Sequence, residues 1–408
     1  MLAALMLVTF VAPFFSENAK LFLHYVAQQK GVRLALISQD DLALLPEDTS
    51  RRVVHHERVT DAISTDQIVL ATRKICAAAG PVDRLLGVVE QVQVPLGQAR
   101  EQLGLTGMRA AEAMNFRDKT RMKDLLRAAN LPVARHRLIE RYDEALQFAS
   151  EVGYPLVVKP PAGAAAQTTY CVADEPALRA AIGPASKAAG GVVLLEEFVT
   201  GEEHSFDAFV KDGRVVFYSV SDYHPTPLTV MQNPWMQWVV VLPREHEAAD
   251  IADAGARALE VLGLRDGMCH LEWFRRADGS LVISEVGARP PGAQFPTLIS
   301  RSHDKDCIDA WAKLVLLDVF EPFPERRYAS GAAYLRGQGE GRVRNVTGLD
   351  IVERELGELI TDKRLPQWNQ EKSKSYEGEG FVVVRHPETS VVREALSLIV
   401  STVRVELG

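Results

Sequence analysis

Short apolar runs alternate with helical patterns over residues 1–115. The helical pattern at Glu17–Gln29 separates the first two of these runs. Each apolar run predicts a buried strand: Leu5–Val11, Val32–Ser38, Leu85–Val89 and Leu103–Thr106. Strands separated by helices are typical of an α/β protein, so this region is predicted to form a doubly wound parallel sheet.

The apolar start of the chain, Leu2–Phe15, has to be distinguished from a signal peptide. It lacks a basic flank and an A-x-A cleavage site, and it is too short to cross a bilayer. We therefore interpret it as containing the first strand, and we expect a cytoplasmic protein that does not enter a membrane. The four cysteines agree with a reducing compartment, because no C-x-x-C spacing links them.

Residues 116–192 mix short strands and helices, which predicts a compact α+β unit. A loop rich in Pro, Gly and Ala, Pro160–Thr168, interrupts this unit. The predicted elements are a helix at Asp118–Ala129, a strand at Arg135–Ile139, a helix at Tyr142–Val152, strands at Leu156–Lys159 and Thr169–Val172, a helix at Glu175–Ala189 and a strand at Val192–Phe198.

Two Asp-Gly pairs, Asp212-Gly213 and Asp278-Gly279, predict β-hairpins in residues 193–408, because both residues of such a pair accept positive φ angles. Between the hairpins, Asp222–Trp238 is rich in Pro, Met and aromatic residues and is expected to be a loop that walls a side-chain pocket. A helix is predicted at Ala248–Leu262. The segments that follow predict a C-terminal lobe: a helix at Lys305–Val319, a strand at Gly380–His386 and a helix at Pro387–Val400.

The composition is that of an average globular protein, with 47% hydrophobic and 25% charged residues in a chain of 408. This length is enough for about two to four domains. The net charge of −8 leaves no broad basic surface for a phosphate backbone, so no nucleic-acid partner is expected.

The second hairpin places two carboxylates together. If Asp278-Gly279 is a two-residue loop, Glu272 lies opposite Glu285 and His270 lies opposite Gly287. Like charges on neighbouring strands of an otherwise apolar hairpin call for a counter-cation, and oxygen ligands favour Mg²⁺ or Mn²⁺ over zinc. The alternative is a solvated pair, or a register that is shifted by one residue and separates the two side chains.

Two cationic side chains are placed to bind phosphate. Lys159 ends a strand directly before Pro160–Thr168, whose small residues let backbone N–H groups approach phosphate oxygens, although the loop is not a Walker A sequence. Arg289 follows the second glutamate by four residues and is held by Pro290-Pro291, which suits bidentate binding of a phosphoryl oxygen. An ordinary turn and a surface arginine are the alternatives.

An acidic segment follows the last strand of the α+β unit. It reads Glu196-Glu197-Phe198-Val199 and continues through Gly201 to Glu203. Free backbone groups followed by carboxylates suit an adenine and then a ribose diol, and a solvated acidic loop is the alternative.

Taken in order, these segments resemble the ATP-grasp superfamily over about residues 1–300. The matching segments are Arg117-Asp118-Lys119 with Lys123, Val158-Lys159-Pro160, Glu196-Glu197-Phe198-Val199 with Gly201-Glu202-Glu203, and Glu272 with Glu285-Val286-Gly287-Ala288-Arg289-Pro290. The resemblance implies an ATP-grasp fold with an N-terminal domain at 1–115, a central lid at 116–192 and a C-terminal part at 193–408 that ends in a biotin-carboxylase-like lobe.

The resemblance also implies a role for each site residue. Lys119 and Lys159 would contact the phosphates of ATP. The backbone of Glu197, Phe198 and Val199, next to Glu196, would read adenine, and Glu203 would bind the ribose. Glu272 and Glu285 would bridge Mg²⁺ ions, and Arg289 would stabilise an acyl phosphate.

Within the superfamily, the segment from Gly287 to Gly292 with His270 looks most like the bacterial L-amino acid ligases, which make dipeptides. His270 would meet a substrate carboxylate or amine, and a core histidine is the alternative. One departure is Gly287, because family members usually carry Asn at this position.

The resemblance therefore implies an ATP-dependent carboxylate-amine ligase that acts on small molecules, with amino acids as substrates, ATP and Mg²⁺ as cofactors, and a homodimer as the base-rate assembly. Two alternatives stay open. The first is a biotin-carboxylase-like enzyme that phosphorylates bicarbonate. The second is a nucleotide-binding protein without turnover.

Overall fold

The computed structural model describes residues 5–163, 168–233, 236–245 and 249–408. Its strands are β1 (Met6–Ala12), β2 (Val32–Ser38), β3 (Val53–Arg58), β4 (Arg84–Leu86), β5 (His136–Ile139), β6 (Leu156–Lys159), β7 (Tyr170–Val172), β8 (Val193–Glu197), β9 (Glu202–Lys211), β10 (Arg214–His224), β11 (Trp238–Leu242), β12 (Gly267–Arg275), β13 (Leu281–Gly287), β14 (Ala329–Leu335), β15 (Val343–Thr347), β16 (Ile360–Arg364), β17 (Gly380–His386) and β18 (Arg404–Leu407).

The α-helices are α1 (Glu17–Gln28), α2 (Glu47–Ser50), α3 (Thr65–Ala79), α4 (Gln93–Leu103), α5 (Ala110–Arg117), α6 (Lys119–Ala128), α7 (Tyr142–Val152), α8 (Glu175–Ala188), α9 (Pro227–Gln232), α10 (Ala249–Leu262), α11 (Phe295–His303), α12 (Cys307–Leu317), α13 (Leu349–Leu356) and α14 (Thr389–Thr402). Within the ranges that the structure describes, no helix is long and apolar enough to cross a membrane.

The first four strands form a parallel sheet in the order β3-β2-β1-β4. This arrangement confirms the predicted doubly wound sheet. The strand predicted at Leu103–Thr106 is wrong, because α4 extends to Leu103 and ends at Gly104, whose φ of +68° suits glycine.

The next four strands form an antiparallel sheet in the order β5-β8-β6-β7, covered by α7 and α8. Helix α6 leads into it. Asp118 caps α6, since its carboxylate accepts from the N–H groups of Thr120 and Arg121 at 2.9 and 3.1 Å. The sheet includes β8, which lies just beyond the predicted boundary at residue 192.

The largest sheet has eight antiparallel strands in the order β13-β12-β9-β10-β11-β14-β17-β16. The Asp212-Gly213 turn joins β9 to β10 with φ angles of +53° and +77°, which confirms the predicted two-residue hairpin. A separate pair, β15 with β18, lies in the C-terminal lobe and packs with α13 and α14 around one apolar core.

The segment between the hairpins is more regular than predicted. Within the stretch expected to be a loop, β10 continues to His224, α9 spans Pro227–Gln232 and β11 begins at Trp238. Trp238 does not wall a pocket as predicted, because it is 1% exposed and stacks on Tyr334 with ring centroids 4.6 Å apart. Trp235, predicted to share that role, lies outside the described residues.

The main apolar core joins the N-terminal sheet to the large sheet. Phe22 of α1 meets Trp311 of α12 edge to face at 4.9 Å, so the helix pair forms the contact between the two sheets. Trp238 belongs to the same core.

The burial of Trp238 generates a stability prediction. We expect Trp238→Ala to lower the free energy of unfolding by about 3–5 kcal/mol, because it removes a large core side chain and leaves a cavity. The midpoint of urea unfolding, followed by circular dichroism, measures this change. Trp368→Ala is the control, since Trp368 is 74% exposed and its loss should cost less than about 0.5 kcal/mol. Equal losses in the two variants would contradict this assignment.

Candidate active site

A cavity of about 290 Å³ lies between the central four-stranded sheet, β5-β8-β6-β7, and the eight-stranded sheet. It is lined by all the residues to which the resemblance gave a role: Lys119, Lys159, Glu196, Glu197, Phe198, Val199, Glu203, His270, Glu272, Glu285 and Arg289. The fold therefore brings together segments that are far apart in the chain, and the distances between their atoms define what the cavity can bind.

The second hairpin places Glu272 opposite Glu285 and His270 opposite Gly287, as predicted. The predicted two-residue turn is wrong, however. The Arg276 N–H donates to the Ser280 carbonyl at 2.9 Å, which leaves a three-residue loop. A β-bulge between Glu272 and Trp273 then shifts the pairing by one residue and restores the predicted partner.

Lys119 connects the start of α6 to this pair. Its Nζ lies 2.8 Å from Glu285 Oε1 and donates to the carbonyl of Gly163 at 3.2 Å. Burial alone would raise the pKa of Glu285, but the ammonium groups of Lys119 and Lys159 lower it to about 2. Glu285 is therefore a carboxylate at any physiological pH.

Glu196 lies between two buried lysines. Its Oε2 is 2.9 Å from Lys159 Nζ, and its Oε1 is 3.4 Å from Lys123 Nζ. Burial lowers the pKa of Lys123 to about 8, whereas the carboxylates of Glu196 and Glu285 outweigh burial at Lys159 and raise its pKa. Lys159 is thus a firmly charged cation on the cavity wall, while Lys123 is fully buried behind it.

The predicted adenine segment has most of its polar groups engaged. Glu197 accepts from Arg135 at 2.5 Å and from Arg276 at 2.8 Å, so its side chain is held on both sides. The backbone N–H of Glu197 donates to the carbonyl of Arg135, and the backbone N–H of Phe198 donates to the carbonyl of Pro155. Val199 follows these two amides on the same cavity wall.

Glu203 lies on β9 beside β12 and faces an acidic neighbour. Burial and the charge of Glu272 raise its pKa well above the usual range. The carboxyl groups of Glu203, Glu272 and Glu285 therefore lie close together, and the raised pKa of Glu203 favours its uncharged form, which can both donate and accept hydrogen bonds.

His270 is oriented by residues that sequence reasoning missed. Its Nδ1 lies 2.6 Å from Asp207 Oδ1, and Ser205 donates to the other oxygen of Asp207 at 2.8 Å. Its Nε2 faces Tyr223 at 3.4 Å and Glu272 at 3.5 Å. Asp207 outweighs burial and raises the pKa of His270 to about 9, so His270 is a cation beside the two glutamates.

Glu90 is a second residue that sequence reasoning missed. It follows β4, which lies beside β1 at the point where the strand order of the N-terminal sheet reverses. Ligands of such sheets commonly bind in the crevice at the carboxyl ends of the two strands at this point. Glu90 Oε2 accepts from Arg289 Nε at 3.0 Å. A Cβ at Gly287 would lie 3.4 Å from the same oxygen, which is an ordinary van der Waals distance, so position 287 borders this ion pair.

Part of the predicted phosphate loop is described. The N–H of Lys119 donates to Pro161 at 2.9 Å, and Arg117 donates to the Gly163 carbonyl at 2.9 Å. The start of the loop is therefore fixed to α5 and α6. Residues 164–167, at its centre, lie outside the described residues.

The cavity also has an uncharged wall. It is formed by the first turn of α9, from Thr226 to Thr229, by Phe295 at the start of α11, and by Tyr376 from the C-terminal lobe. Leu228 is the aliphatic side chain that α9 contributes. The prediction of a pocket wall in this stretch of the chain thus applies to α9 and not to Trp238.

The glutamate pair suits a magnesium ion that is shared with a phosphate ligand. Among the residues that the structure describes, no group of three or more His, Cys, Asp and Glu side chains could enclose a metal. Magnesium is commonly held by one or two carboxylates, with substrate phosphates and water completing the shell. Glu272 and Glu285 provide the two carboxylates on one sheet face.

Comparison with known proteins finds a domain of known family and several relatives. Residues 124–303 match the model of the ATP-grasp domain. The chain is 23% identical over 297 residues to the L-arginine-specific L-amino acid ligase of Bacillus subtilis, in an alignment that covers 71% of this chain and 70% of that protein. Residues 124–303 are thus an ATP-grasp domain, and the relatives indicate an ATP-dependent ligase.

Solved structures of other proteins have the same fold as this chain. An L-amino acid ligase from Bacillus licheniformis superposes with a TM-score of 0.80 at 17% identity, covering 99% of both chains. The biotin carboxylase domain of the Hydrogenobacter thermophilus 2-oxoglutarate carboxylase, solved with MgADP and bicarbonate, gives a TM-score of 0.68 at 15% identity and covers 98% of this chain and 90% of that chain. At these identities the likeness establishes the fold alone, and it confirms the predicted ATP-grasp architecture.

The position of Lys159 generates a binding prediction. Lys159→Ala should weaken ATP binding by about 10- to 150-fold, because an ammonium–phosphate hydrogen bond contributes about 1.5–3 kcal/mol. Adenosine has no phosphate, so its affinity should change by less than about twofold. Calorimetric titration of both ligands measures the difference. Lys313→Ala, which removes a lysine paired with Asp309 on α12, is the control, and equal losses for ATP and adenosine would contradict the assignment.

Proposed function

We propose that the ligase joins two amino acids through an amide bond and releases ADP and phosphate. The observation that carries this proposal is that one cavity combines lysine and arginine side chains, a pair of opposed carboxylates and an uncharged wall. The similarity to L-amino acid ligases of two Bacillus species supports it.

The proposed reaction has two steps. A carboxylate oxygen of the first amino acid attacks the γ-phosphorus of ATP, and the bond from this phosphorus to the β-phosphate oxygen breaks. The products of this step are an acyl phosphate and ADP. The amine nitrogen of the second amino acid then attacks the acyl carbon, phosphate leaves, and the nitrogen loses a proton to solvent. Positioning and charge neutralisation supply most of the rate enhancement in phosphoryl transfer.

Each charged residue has a proposed part in these steps. Lys119 and Lys159 hold the phosphates of ATP, and Arg289 binds the acyl phosphate, for which Glu90 orients its guanidinium. His270, held by Asp207, meets the carboxylate or the amine of a substrate.

The nucleoside end of ATP is proposed to lie along the segment after β8. Because the N–H groups of Glu197 and Phe198 already donate within the protein, the amide of Val199 is the one that we assign to adenine. Glu203 is assigned to the ribose, since a carboxyl group with a raised pKa can both donate to and accept from a diol.

Magnesium is proposed to bind at Glu272 and Glu285. Bound there, it would neutralise the negative charge of the β- and γ-phosphates.

We also propose the domain division at 1–115, 116–192 and 193–408, in which the central part acts as the lid over the nucleotide.

The metal assignment predicts a large loss of turnover. Glu285→Gln should lower the rate of ADP formation by at least about 100-fold, because the neutral amide is a poor ligand for magnesium and the lost charge stabilisation amounts to several kcal/mol. A coupled assay for ADP with saturating Mg·ATP measures the rate.

Glu202→Gln is the matched control for this experiment. Glu202 also lies on the large sheet, but its side chain is 80% exposed. Its replacement should leave the rate within about twofold. Turnover of Glu285→Gln at the wild-type rate would refute the metal site.

The uncharged wall predicts which substrates stimulate turnover. Pairs of amino acids should stimulate release of ADP, and Leu228→Ala should change the discrimination between amino-acid side chains by about 10- to 200-fold, the usual range for a hydrophobic pocket. The affinity for ATP should stay within about twofold. A phosphate-release screen of amino-acid pairs with Mg·ATP measures both. Leu317→Ala, at an exposed site on α12, is the control.

The same screen separates the rival functions. Bicarbonate has no side chain, so an enzyme that phosphorylates it would respond to bicarbonate and biotin and would be insensitive to Leu228→Ala. A nucleotide-binding protein without turnover would release no ADP with any substrate. Either result would replace the dipeptide-ligase proposal.

A further inference from the structure

A loop of the C-terminal lobe, residues 373–379, reaches the cavity through one side chain. Tyr376 lines the cavity together with Glu272, Glu285 and Arg289, although it is separated from all three by more than 80 residues of sequence. No motif in the sequence identifies it. Its position depends on how the loop is held.

The loop is fixed to the end of β14 by a buried carboxylate. Glu379 is 2% exposed, and it accepts hydrogen bonds from the N–H groups of Gly337 at 2.5 Å and Ser373 at 2.7 Å. Gly378 has a φ of +64°, and a Cβ there would lie 2.6 Å from the carbonyl oxygen of Leu335. Because no larger residue fits, this glycine lets the loop lie directly against β14.

The ring of Tyr376 packs on the buried aromatic cluster around Trp238. The Tyr376 ring meets the Trp238 ring edge to face at 4.6 Å, and Tyr223 and Tyr334 pack on the same indole. This contact orients the phenol, so its hydroxyl points from a rigid support.

The hydroxyl of Tyr376 differs from those of its two neighbours. The Tyr223 hydroxyl lies 3.4 Å from His270 Nε2, and the Tyr334 hydroxyl donates to the carbonyl of Ala293. Within the described parts of the chain, no hydrogen bond of the Tyr376 hydroxyl is found, and this side chain lines the cavity. A hydroxyl that is held on a rigid ring at a cavity and left without a protein partner is available for a ligand.

The surroundings keep this hydroxyl a donor. Burial and the negative charges of Glu377, Glu272 and Glu285 raise the pKa of Tyr376 above its ordinary value, against the effect of Arg289. The proton therefore stays on the phenol oxygen. A neutral donor in the same cavity as the guanidinium of Arg289 suits an oxygen atom that gains negative charge during a reaction.

We propose that Tyr376 is a catalytic residue of the ligase, whose hydroxyl donates a hydrogen bond to the acyl oxygen when the amine attacks the acyl phosphate. The inference rests on the proposed function. As the amine nitrogen forms its bond to the acyl carbon, the electron pair of the carbonyl π bond moves onto this oxygen. It returns when the bond from carbon to the phosphate oxygen breaks and phosphate leaves. Tyr376 and Arg289 stabilise the oxyanion between these two events.

The test compares two partial reactions in Tyr376→Phe, which keeps the ring and removes the hydroxyl. The first is ADP release in a single turnover with Mg·ATP and the donor amino acid alone. The second is amide formation after rapid addition of the acceptor amine. We expect the rate of the second step to fall by about 100- to 1000-fold, the usual effect of losing one oxyanion donor. The rate of the first step and the KM for ATP should change by less than about twofold, and the midpoint of urea unfolding should stay the same.

Tyr218→Phe is the control, because Tyr218 lies on β10 with 40% exposure and outside the cavity. Wild-type rates of amide formation in Tyr376→Phe would overturn the inference and leave the ligase proposal in place. Equal losses in both partial reactions would also overturn it, since a structural role predicts that pattern. A wild-type protein that forms no amide from any amino-acid pair would remove both proposals together.

Discussion

The compensation of charges buried between two sheets is the constraint on which the cavity depends. Each ion that leaves water costs several kcal/mol unless opposite charges and hydrogen bonds replace the solvent. Lys119 with Glu285, and Glu196 between Lys123 and Lys159, supply that replacement. The contacts also join α6, the four-stranded sheet and the large sheet, so the residues that would hold phosphates are the ones that hold these elements together.

The sequence predicted this site well where the information was local. The Asp-Gly pair and the alternation of side chains predicted Glu272 opposite Glu285, and this pairing is observed. The turn itself was wrong by one residue, and the bulge beside Trp273 corrected the error, because the buried face of the hairpin leaves only one register that keeps both carboxylates in the cavity. Most of the strands and helices for which bounds were predicted begin and end within two residues of those bounds, since their apolar periodicity is strong.

Contacts between distant segments could not be predicted in the same way. Glu90 meets Arg289 across 199 residues, and Asp207 meets His270 across 63. No spacing rule relates such pairs, because they depend on how whole sheets pack. Trp238 shows the reverse error. The prolines and aromatic residues around it suggested a loop that walls a pocket, whereas β11 carries the ring of Trp238 into the core.

The charged and the uncharged walls of the cavity are constrained in different ways. In the proposed function, the lysines, the glutamates and Arg289 match the fixed charges of a nucleotide. Each is held by another charge, so a substitution at one leaves a buried partner uncompensated. The wall of α9 and Tyr376 carries no such network, and a change there alters contact with a ligand without exposing a buried ion. The charged half of the site is therefore constrained by the fold as well as by the chemistry. The uncharged half is constrained by the ligand, and selectivity between substrates can change there without loss of the nucleotide site.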